Sequence, residues 1–402
     1  MKFTQLCIRF FTLVIVFISC KKSDNNGGTT PQPTLPVLTI VDASTIRTTT
    51  NTSLFFYVSL SKASSSNVSV DYTLTDGSAT APQDYSAASG TITIPANQLN
   101  SSIEVVIKGN AANLRQPNLE FTIALSNPKF CTLNTSSAKG TIITEDGTYL
   151  PTDNTGYTTP LTYPGKTLVW SDEFNASSLN LSHWNQEIGN GTGGWGNNEL
   201  EYYTNSTKNT FLSNGNLIIE ARKESIGGFN YSSGRLTTQG KKEFTFGRID
   251  IRAKLPVAKG MWPALWMLGS NINSVSWPAC GEIDIMELVG TYPNRTHGTM
   301  HWKPVSGTNT SKGGSMDLTS GNFSQQFHVF SIEWQQDTIK WYLDDQLFLT
   351  NTKADVGAAN YPFNLADFFI FNVAVGGNWP GSPDATTSFP QRMFVDYVRV
   401  FQ

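Results

Sequence analysis

The heptapeptide GEIDIME constrains this chain more than any other segment, because it places Glu282, Asp284 and Glu287 within six residues among isoleucines and a methionine. Side chains of a β-strand alternate between its two faces, so Glu282 and Asp284 point the same way. Strict alternation puts Met286 next on that face, but the third acid comes one residue later. A β-bulge accommodates one extra residue and re-aims the side chains that follow it. We therefore predict a strand with a bulge near positions 285 and 286 and all three acids on one face.

Crowded carboxylates of this kind are suited to catalysis. Like charges drive the pKa values of neighbouring acids apart, so that one acid can stay protonated while another acts as a nucleophile. The alternative is an edge strand whose acids are simply solvated. The flanking residues Trp277, Pro278, Leu288 and Val289 are apolar, which favours the functional interpretation, since perturbed acids concentrate at active sites.

Length and composition indicate a multidomain, all-β protein. A chain of 402 residues allows two or three domains, and a hydrophobic content of 39% supports sizeable cores. Short alternating runs separated by turn residues predominate, and long amphipathic periods are absent. The net charge of −3 gives no electrostatic reason to expect binding to nucleic acid or to an anionic membrane surface.

The N-terminal sequence predicts an export signal. Lys2 and Arg9 precede an apolar run over residues 10–18 that is too short to span a bilayer. The run ends at Ser19-Cys20, which resembles a bacterial lipoprotein signal over residues 1–20. That resemblance implies a lipidated Cys20 and an exported lipoprotein anchored at the periplasmic face or the cell surface. The alternative is an ordinary secretory signal that is cleaved elsewhere.

Two unpaired cysteines and two linkers complete the outline. Residues 21–36 are polar and rich in Gly and Pro, as expected of a tether, and residues 148–165 form a second linker rich in Thr and Pro.

Cys131 and Cys280 fall in different domains, so we expect the hydrophobic cores rather than disulfides to stabilise the domains. Cys280 is interpreted as a small buried apolar residue.

Residues 37–147 alternate apolar and polar residues in short runs and predict a β-sandwich. The segment 71–79 and the closing segment 140–146 resemble a Calx-beta domain, which implies an immunoglobulin-like sandwich. Gln116 and Leu119 stand where that family usually carries Glu, which argues against calcium binding here. The segment has no histidine and no recognisable catalytic constellation, so we interpret it as a spacer or adhesion module that folds separately.

Residues 166–402 are richer in aromatic residues and predict one large two-sheet jelly roll. GEIDIME, the tryptophan-rich strand before it and the GGNWPG loop at 376–381 resemble glycoside hydrolase family 16, in its bulged branch. The lead-in Trp277-Pro278 resembles that of the bacterial laminarinases. The resemblance implies a concanavalin-like jelly-roll catalytic domain and a retaining, endo-acting β-1,3-glucanase.

The resemblance also implies roles for the acids. Glu282 is the expected nucleophile, Glu287 the general acid/base, and Asp284 an assistant to both. Retaining enzymes hold the two reacting carboxyl groups about 5–5.5 Å apart. Two residues on one strand face with a bulge between them can meet that spacing.

Glycan clefts need aromatic platforms with polar groups nearby, because sugars have apolar faces and polar rims. Trp262 and Trp266 share a strand face, although core packing is the alternative for one of them. Family motifs add polar residues and further tryptophans. The candidate substrate-binding residues are Trp195, Asn197, Arg248, Trp262, Trp266, His301, Trp302 and Trp379. His297 and His301 share a face but have no adjacent third ligand, which argues against a zinc site made from them.

A structural calcium ion is a further expectation from the family. The matching positions are Glu173, the Gly215 carbonyl and Asp396, and oxygen ligands suit calcium. The alternative is that these acids belong to ordinary turns and strands. No cofactor is expected for catalysis, and the expected partner is a polysaccharide bound by a monomer. The competing functions are an agarase-like, carrageenase-like or mixed-linkage β-1,3/1,4-glucanase activity, or a non-catalytic surface glycan-binding protein.

Overall fold

Strands dominate the part of the chain that the computed structural model describes, which is residues 34–402. The predicted signal, Cys20 and most of the predicted tether lie outside the described residues. Within residues 34–402, no helix is both long and apolar enough to cross a membrane.

The N-terminal domain consists of two packed sheets. Its strands are β1 (Val37–Ile40), β2 (Ala43–Ile46), β3 (Thr52–Leu60), β4 (Val68–Asp76), β5 (Ser89–Ile94), β6 (Asn100–Ile107), β7 (Leu119–Lys129), β8 (Thr132–Leu133) and β9 (Ser137–Ile143). They pair in the orders β6-β3-β1-β8 and β2-β9-β7-β4-β5. Alternation decides which side chains face inward: on β3, Leu54, Phe56 and Val58 are buried between the sheets. The predicted sandwich is confirmed.

The C-terminal domain is a second and larger two-sheet structure. Its strands are β10 (Leu168–Asp172), β11 (Asn185–Gln186), β12 (Glu201–Tyr203), β13 (Thr210–Ser213), β14 (Asn216–Ile226), β15 (Phe229–Ser233), β16 (Arg235–Thr237), β17 (Glu243–Phe244), β18 (Gly247–Lys254), β19 (Met261–Gly269), β20 (Glu282–Glu287), β21 (Arg295–Trp302), β22 (Thr310–Asp317), β23 (His328–Gln335), β24 (Thr338–Leu343), β25 (Gln346–Thr352), β26 (Asp367–Val375) and β27 (Gln391–Phe401). Two short helices, α1 (Ile272–Val275) and α2 (Lys353–Val356), and a π-helical turn (Gly194–Asn198) interrupt the strands.

The two sheets of this domain differ in composition and role. One runs β12-β15-β14-β27-β18-β23-β24-β25, with β10 on β27 and β13 on β14. The other, here called the cleft sheet, runs β11-β16-β26-β19-β20-β21-β22, with β17 on β26. The apolar faces of both sheets form one core, while the opposite face of the cleft sheet lines an open groove. This is the predicted jelly roll.

Part of the predicted second linker is bound to the C-terminal domain. Residues 154–159, here called the strap, pair with the start of β23: Phe327 N donates to Thr155 O and Tyr157 N donates to Phe327 O, each at 2.9 Å. Arg252 donates to Tyr157 O at 2.6 Å and to Asn154 O at 2.7 Å. These backbone hydrogen bonds make the strap an added edge of the domain rather than a free connection.

The N-terminal domain also contacts the C-terminal domain through a buried arginine. Arg115 is 3% exposed, and its Nη2 donates to Lys208 O at 2.9 Å. Its Nε lies 3.4 Å from Oε2 of the fully buried Glu220, and its guanidinium stacks 4.0 Å from the centre of the Phe211 ring. On the rim, Asp146 pairs with Lys208 at 3.1 Å. The composition of the linker gave no indication of this docking.

Candidate active site

The bulged strand forms as the spacing of its acids predicts. In the ladder between β20 and β21, Glu282 faces His301, Asp284 faces Thr299 and Glu287 faces His297, with a register shift between Asp284 and Glu287. The intervening Ile285 and Met286 are both buried in the core. All three acids therefore line one side of a cleft of about 790 Å³.

Burial dominates the electrostatics of the three acids. It raises the pKa of Glu282 to about 8, and the neighbouring charge of Asp284 adds to the effect. Burial also raises the pKa of Asp284, which is only 2% exposed. The pKa of Glu287 is raised well above its ordinary value by burial, then by the charges of Asp284 and Glu282. The raised pKa of Glu287 suits this acid to be a proton donor.

A separate indole holds each of the outer two acids. Trp277 Nε1 donates to Glu282 Oε2 at 2.8 Å, and Trp262 Nε1 donates to Glu287 Oε1 at 3.0 Å. Because the carboxylate is the better acceptor, each bond lowers the pKa of its acid and partly opposes burial. The two bonds also fix the orientation of both carboxyl groups in the cleft.

His301 stands between the two acids at the start of the strand. Its Nε2 lies 3.1 Å from Asp284 Oδ2 and 3.7 Å from Glu282 Oε1. Its positive charge, when present, lowers the pKa of Glu282 and of Glu287. His301 faces the cleft as expected, but its measured neighbours are the acids.

Tryptophans form the walls of the cleft. Trp262 and Trp266 both line it, as their shared strand face predicts. Trp266 is anchored by donating from Nε1 to Asn372 Oδ1 at 2.8 Å. Trp379 is 44% exposed and meets Trp262 edge-on at 5.6 Å. An exposed indole beside a fixed one is a surface on which a sugar face can stack.

The π-helical turn brings Trp195 and Asn197 to the other side of the cleft. Trp195, which lies between two glycines in the chain, adopts a left-handed backbone conformation at φ 55°. Its indole lines the cleft. Asn197 Nδ2 donates to Glu199 Oε1 at 3.1 Å, which fixes its amide. Both predicted residues are therefore brought together with the acids.

The structure contradicts the assignment of Arg248 and Trp302 to substrate binding. Arg248 lies on β18 of the other sheet, is 5% exposed, and donates to Asp250 Oδ1 at 2.8 Å. Trp302 follows His301 on β21, so strand alternation turns it into the core, where it is 5% exposed. Neither side chain reaches the cleft.

Several cleft residues were missed by the sequence analysis. The guanidinium of Arg235 lies 4.2 Å from the ring centre of Trp195 and 4.9 Å from that of Trp266, and it forms an ion pair with Glu187. Nothing in its local sequence separates Arg235 from a surface arginine. Trp277 could have been predicted from the sequence as a cleft residue, since it stands only five residues before the first acid, Glu282.

The candidate calcium ligands are held by arginines. Both oxygens of Glu173 accept from Arg399, at 2.9 and 2.7 Å, and Asp396 Oδ2 accepts from Arg252 at 2.8 Å. A calcium ion would have to displace these ion pairs to collect the oxygen set it prefers. The arrangement does not fit calcium as it stands, and the calcium site stays a prediction.

Comparisons with known proteins agree with this geometry. Residues 197–399 match the family described as "Glycosyl hydrolases family 16", and residues 36–147 match the Calx-beta domain. The chain is 43% identical over 248 residues to "Beta-glucanase" of Rhodothermus marinus, covering 58% of this chain and 85% of that protein. It is 42% identical over 260 residues to "Glucan endo-1,3-beta-glucosidase A1" of Niallia circulans, covering 59% of this chain but only 38% of that protein.

A solved structure shows the same relationship. The laminarinase catalytic domain from Thermotoga maritima superimposes with a TM-score of 0.56 at 48% sequence identity. The superposition covers 59% of this chain and 98% of that domain. The shared part corresponds in size to the C-terminal domain that carries the acids.

Proposed function

The chain belongs to glycosyl hydrolase family 16, and we propose from this premise that it is an endo-acting β-1,3-glucanase that cleaves laminarin-type glucan with retention of configuration. The observation that carries the proposal is the bulged strand β20, which sets Glu282, Asp284 and Glu287 on the floor of a tryptophan-walled cleft. The names of the relatives support the choice of substrate. A non-catalytic glycan-binding protein has no need for three crowded, buried acids.

The first half of the reaction uses both outer acids. Glu287 donates its proton to the leaving glycosidic oxygen, while ionised Glu282 attacks the anomeric carbon and forms a glycosyl-enzyme ester. Trp277 holds Glu282 by one oxygen, which orients the carboxylate for attack. Asp284 and His301 lie beside the nucleophile and adjust its charge.

The second half returns the enzyme to its starting state. Glu287, now ionised, removes a proton from a water molecule, which attacks the anomeric carbon and releases Glu282. Two inversions give net retention. Burial favours this exchange, because it raises the pKa of Glu287 and so favours the return of the proton that Glu287 loses in the first step.

The charge of the cleft favours a neutral polysaccharide. Among the described residues that line it, Arg235 is the only Lys or Arg, and it is already paired with Glu187 and stacked between two indoles. A carrageenan chain carries sulfates that would require free cations. A neutral β-glucan requires only aromatic faces and amide or hydroxyl partners, which the cleft supplies.

The proposed location is the cell envelope, through a lipid on Cys20. The support is the apolar run followed by Ser19-Cys20 in the sequence. Fractionation of cells that express the wild type or Cys20→Ala tests this. A membrane-bound wild type with a soluble variant is expected, and equal distribution of the two would contradict the anchor.

Product analysis tests the activity. The purified chain is incubated separately with laminarin, lichenan, agarose and carrageenan, and the products are sized by chromatography. We expect internal cleavage of laminarin, and NMR of the early products should show the β-anomer. Cleavage of agarose or carrageenan in preference to laminarin would reject the substrate, and an initial α-anomer would reject the mechanism.

Two matched variants test the roles of the acids. On an aryl glycoside, whose departure needs little protonation, Glu287→Gln should still form the intermediate, and azide should release it as a β-glycosyl azide. Glu282→Gln cannot form the intermediate and should yield no β-azide. On laminarin, loss of proton delivery should reduce kcat about 10²–10⁴-fold. A β-azide from Glu282→Gln would reverse the assignment.

A further inference from the structure

Three potential ligand atoms converge beside the nucleophile. Glu282, Asp284 and His301 each offer one donor atom, and these atoms lie within 4.8 Å of one another. His301 Nε2 is 3.1 Å from Asp284 Oδ2 and 3.7 Å from Glu282 Oε1. The hydrolysis proposed above needs no metal ion, but the side chains that serve it also form a set of potential metal ligands.

One of these atoms is buried and accepts no hydrogen bond, although His301 lies within ion-pair distance of it. Asp284 is 2% exposed, and its Oδ2 accepts no hydrogen bond from any described residue. A buried carboxylate oxygen left in this state is costly. It points toward His301 Nε2, so a cation placed between the two would satisfy both atoms.

The separations are those of a small transition-metal ion. Ligand atoms that lie about 2.0–2.2 Å from zinc are about 3.3–3.6 Å apart in a tetrahedron. The two edges from His301, 3.1 and 3.7 Å, bracket that value. The remaining edge, between the two carboxylates, is at most 4.8 Å. The Glu282 oxygen that lies near His301 is Oε1, whereas Trp277 holds Oε2, so the oxygen that faces the cluster is not engaged by the indole.

The donor set also selects the type of metal. Calcium and magnesium prefer all-oxygen shells with six or more ligands. One imidazole with two carboxylates suits zinc, and it leaves the fourth position open to the cleft for water. We propose that Glu282, Asp284 and His301 form a zinc-binding site that competes with the polysaccharide. The competition rests on the proposed function, whereas the binding does not.

The site predicts reversible inhibition. A zinc ion on Glu282 neutralises the nucleophile and blocks the position of the scissile sugar. Glucan that occupies the cleft excludes the metal in turn. The apparent KM should therefore rise with zinc concentration while kcat stays constant, and a chelator should restore the original rate.

Calorimetric titration of the metal-free full chain with ZnCl₂ tests the binding directly. We expect one saturable site, weakened at least about 10-fold in His301→Gln, since even outer-shell changes weaken metal sites by that factor. His297→Gln is the matched control, because His297 faces the same cleft from β21, four residues before His301, but is outside the cluster. Its zinc affinity should equal that of the wild type. Asp284→Asn keeps nearly the same shape and should also bind zinc more weakly, so it tests the site even if His301→Gln folds poorly.

The outcomes separate the two proposals. No saturable zinc binding by the wild type would overturn the site, and so would His301→Gln and Asp284→Asn variants that bind zinc as tightly as the wild type. Zinc binding with the expected variant pattern but without any glucan hydrolysis would leave the site standing and reject the proposed function. Binding together with a fall in kcat at constant KM would overturn the competition.

Discussion

The change Arg115→Met tests whether the two domains stabilise each other. Arg115 comes from the N-terminal domain, yet its Nη2 donor and its charge are used by the C-terminal domain. Methionine keeps an apolar stem over Phe211 and removes the guanidinium. Sequence alone predicts two separately folding domains, which would make this substitution a local event in the sandwich.

The expected loss follows from the contacts. The hydrogen bond from Arg115 to Lys208 O has a charged donor, and such bonds contribute about 1.5–3 kcal/mol. Glu220 keeps Arg222 at 2.8 Å and Arg392 at 2.6 Å, so its buried charge stays compensated. The full penalty for an unpaired buried charge therefore does not apply. We expect the free energy of unfolding to fall by about 2–4 kcal/mol, with the lost cation–π contact included.

Tryptophan fluorescence during urea unfolding measures this in the correct domain. All 10 tryptophans lie between residues 166 and 402, so the signal reports the C-terminal domain alone. The midpoint should fall in Arg115→Met although no residue of that domain has changed. Lys139→Met is the control, because Lys139 pairs with Glu120 on the surface, where both side chains are about half exposed and such pairs contribute about 0–1 kcal/mol. Coincident tryptophan midpoints for Arg115→Met and the wild type would refute the docking argument.

Three further predictions concern other parts of the fold. Asp367→Asn should raise the melting temperature more at pH 8 than at pH 4. Burial raises the folded-state pKa of Asp367 well above its unfolded value, so the cost of this acid to the free energy of unfolding grows as pH rises. An equal gain at both pH values would contradict this. Trp277→Phe removes the N–H donor to Glu282, which should raise the pKa of this acid. The acidic limb of the kcat/KM profile should therefore move to higher pH, and activity at pH 6 should fall about 10-fold. An unmoved limb would be the contrary result. A chain of residues 166–402, which lacks the strap, should unfold at lower urea than one of residues 151–402, since Arg252 loses two backbone acceptors, and equal midpoints would show that the strap is dispensable.

Local alternation predicted the acids correctly because the decisive information lies within six residues. The extra residue before Glu287 needs a bulge, and both Ile285 and Met286 are buried as that bulge requires. The same rule could have corrected one error. His301 and Trp302 are adjacent on β21, so they cannot both face the cleft.

The remaining errors and omissions depend on which strands become neighbours. Arg248 sits in a strand as regular as β19, and only the pairing of β18 with β23 and β27 places it in the other sheet. Arg235 reaches the cleft because β16 pairs with β26. The docking of Arg115 joins residues about ninety positions apart, and a linker rich in Thr and Pro predicts mobility instead. Such long-range contacts leave no local pattern to read.

The proposed division of labour between the outer acids rests on their surroundings rather than on their hydrogen bonds. Each accepts one indole N–H, so that contact does not distinguish them. The charge of His301 lowers the pKa of both acids, so it does not distinguish them either. Glu287 receives the repulsion of both other acids and thus favours the protonated form that a proton donor needs. The bulge creates this asymmetry, because it places the third acid opposite His297 rather than at the next position on the face after Asp284.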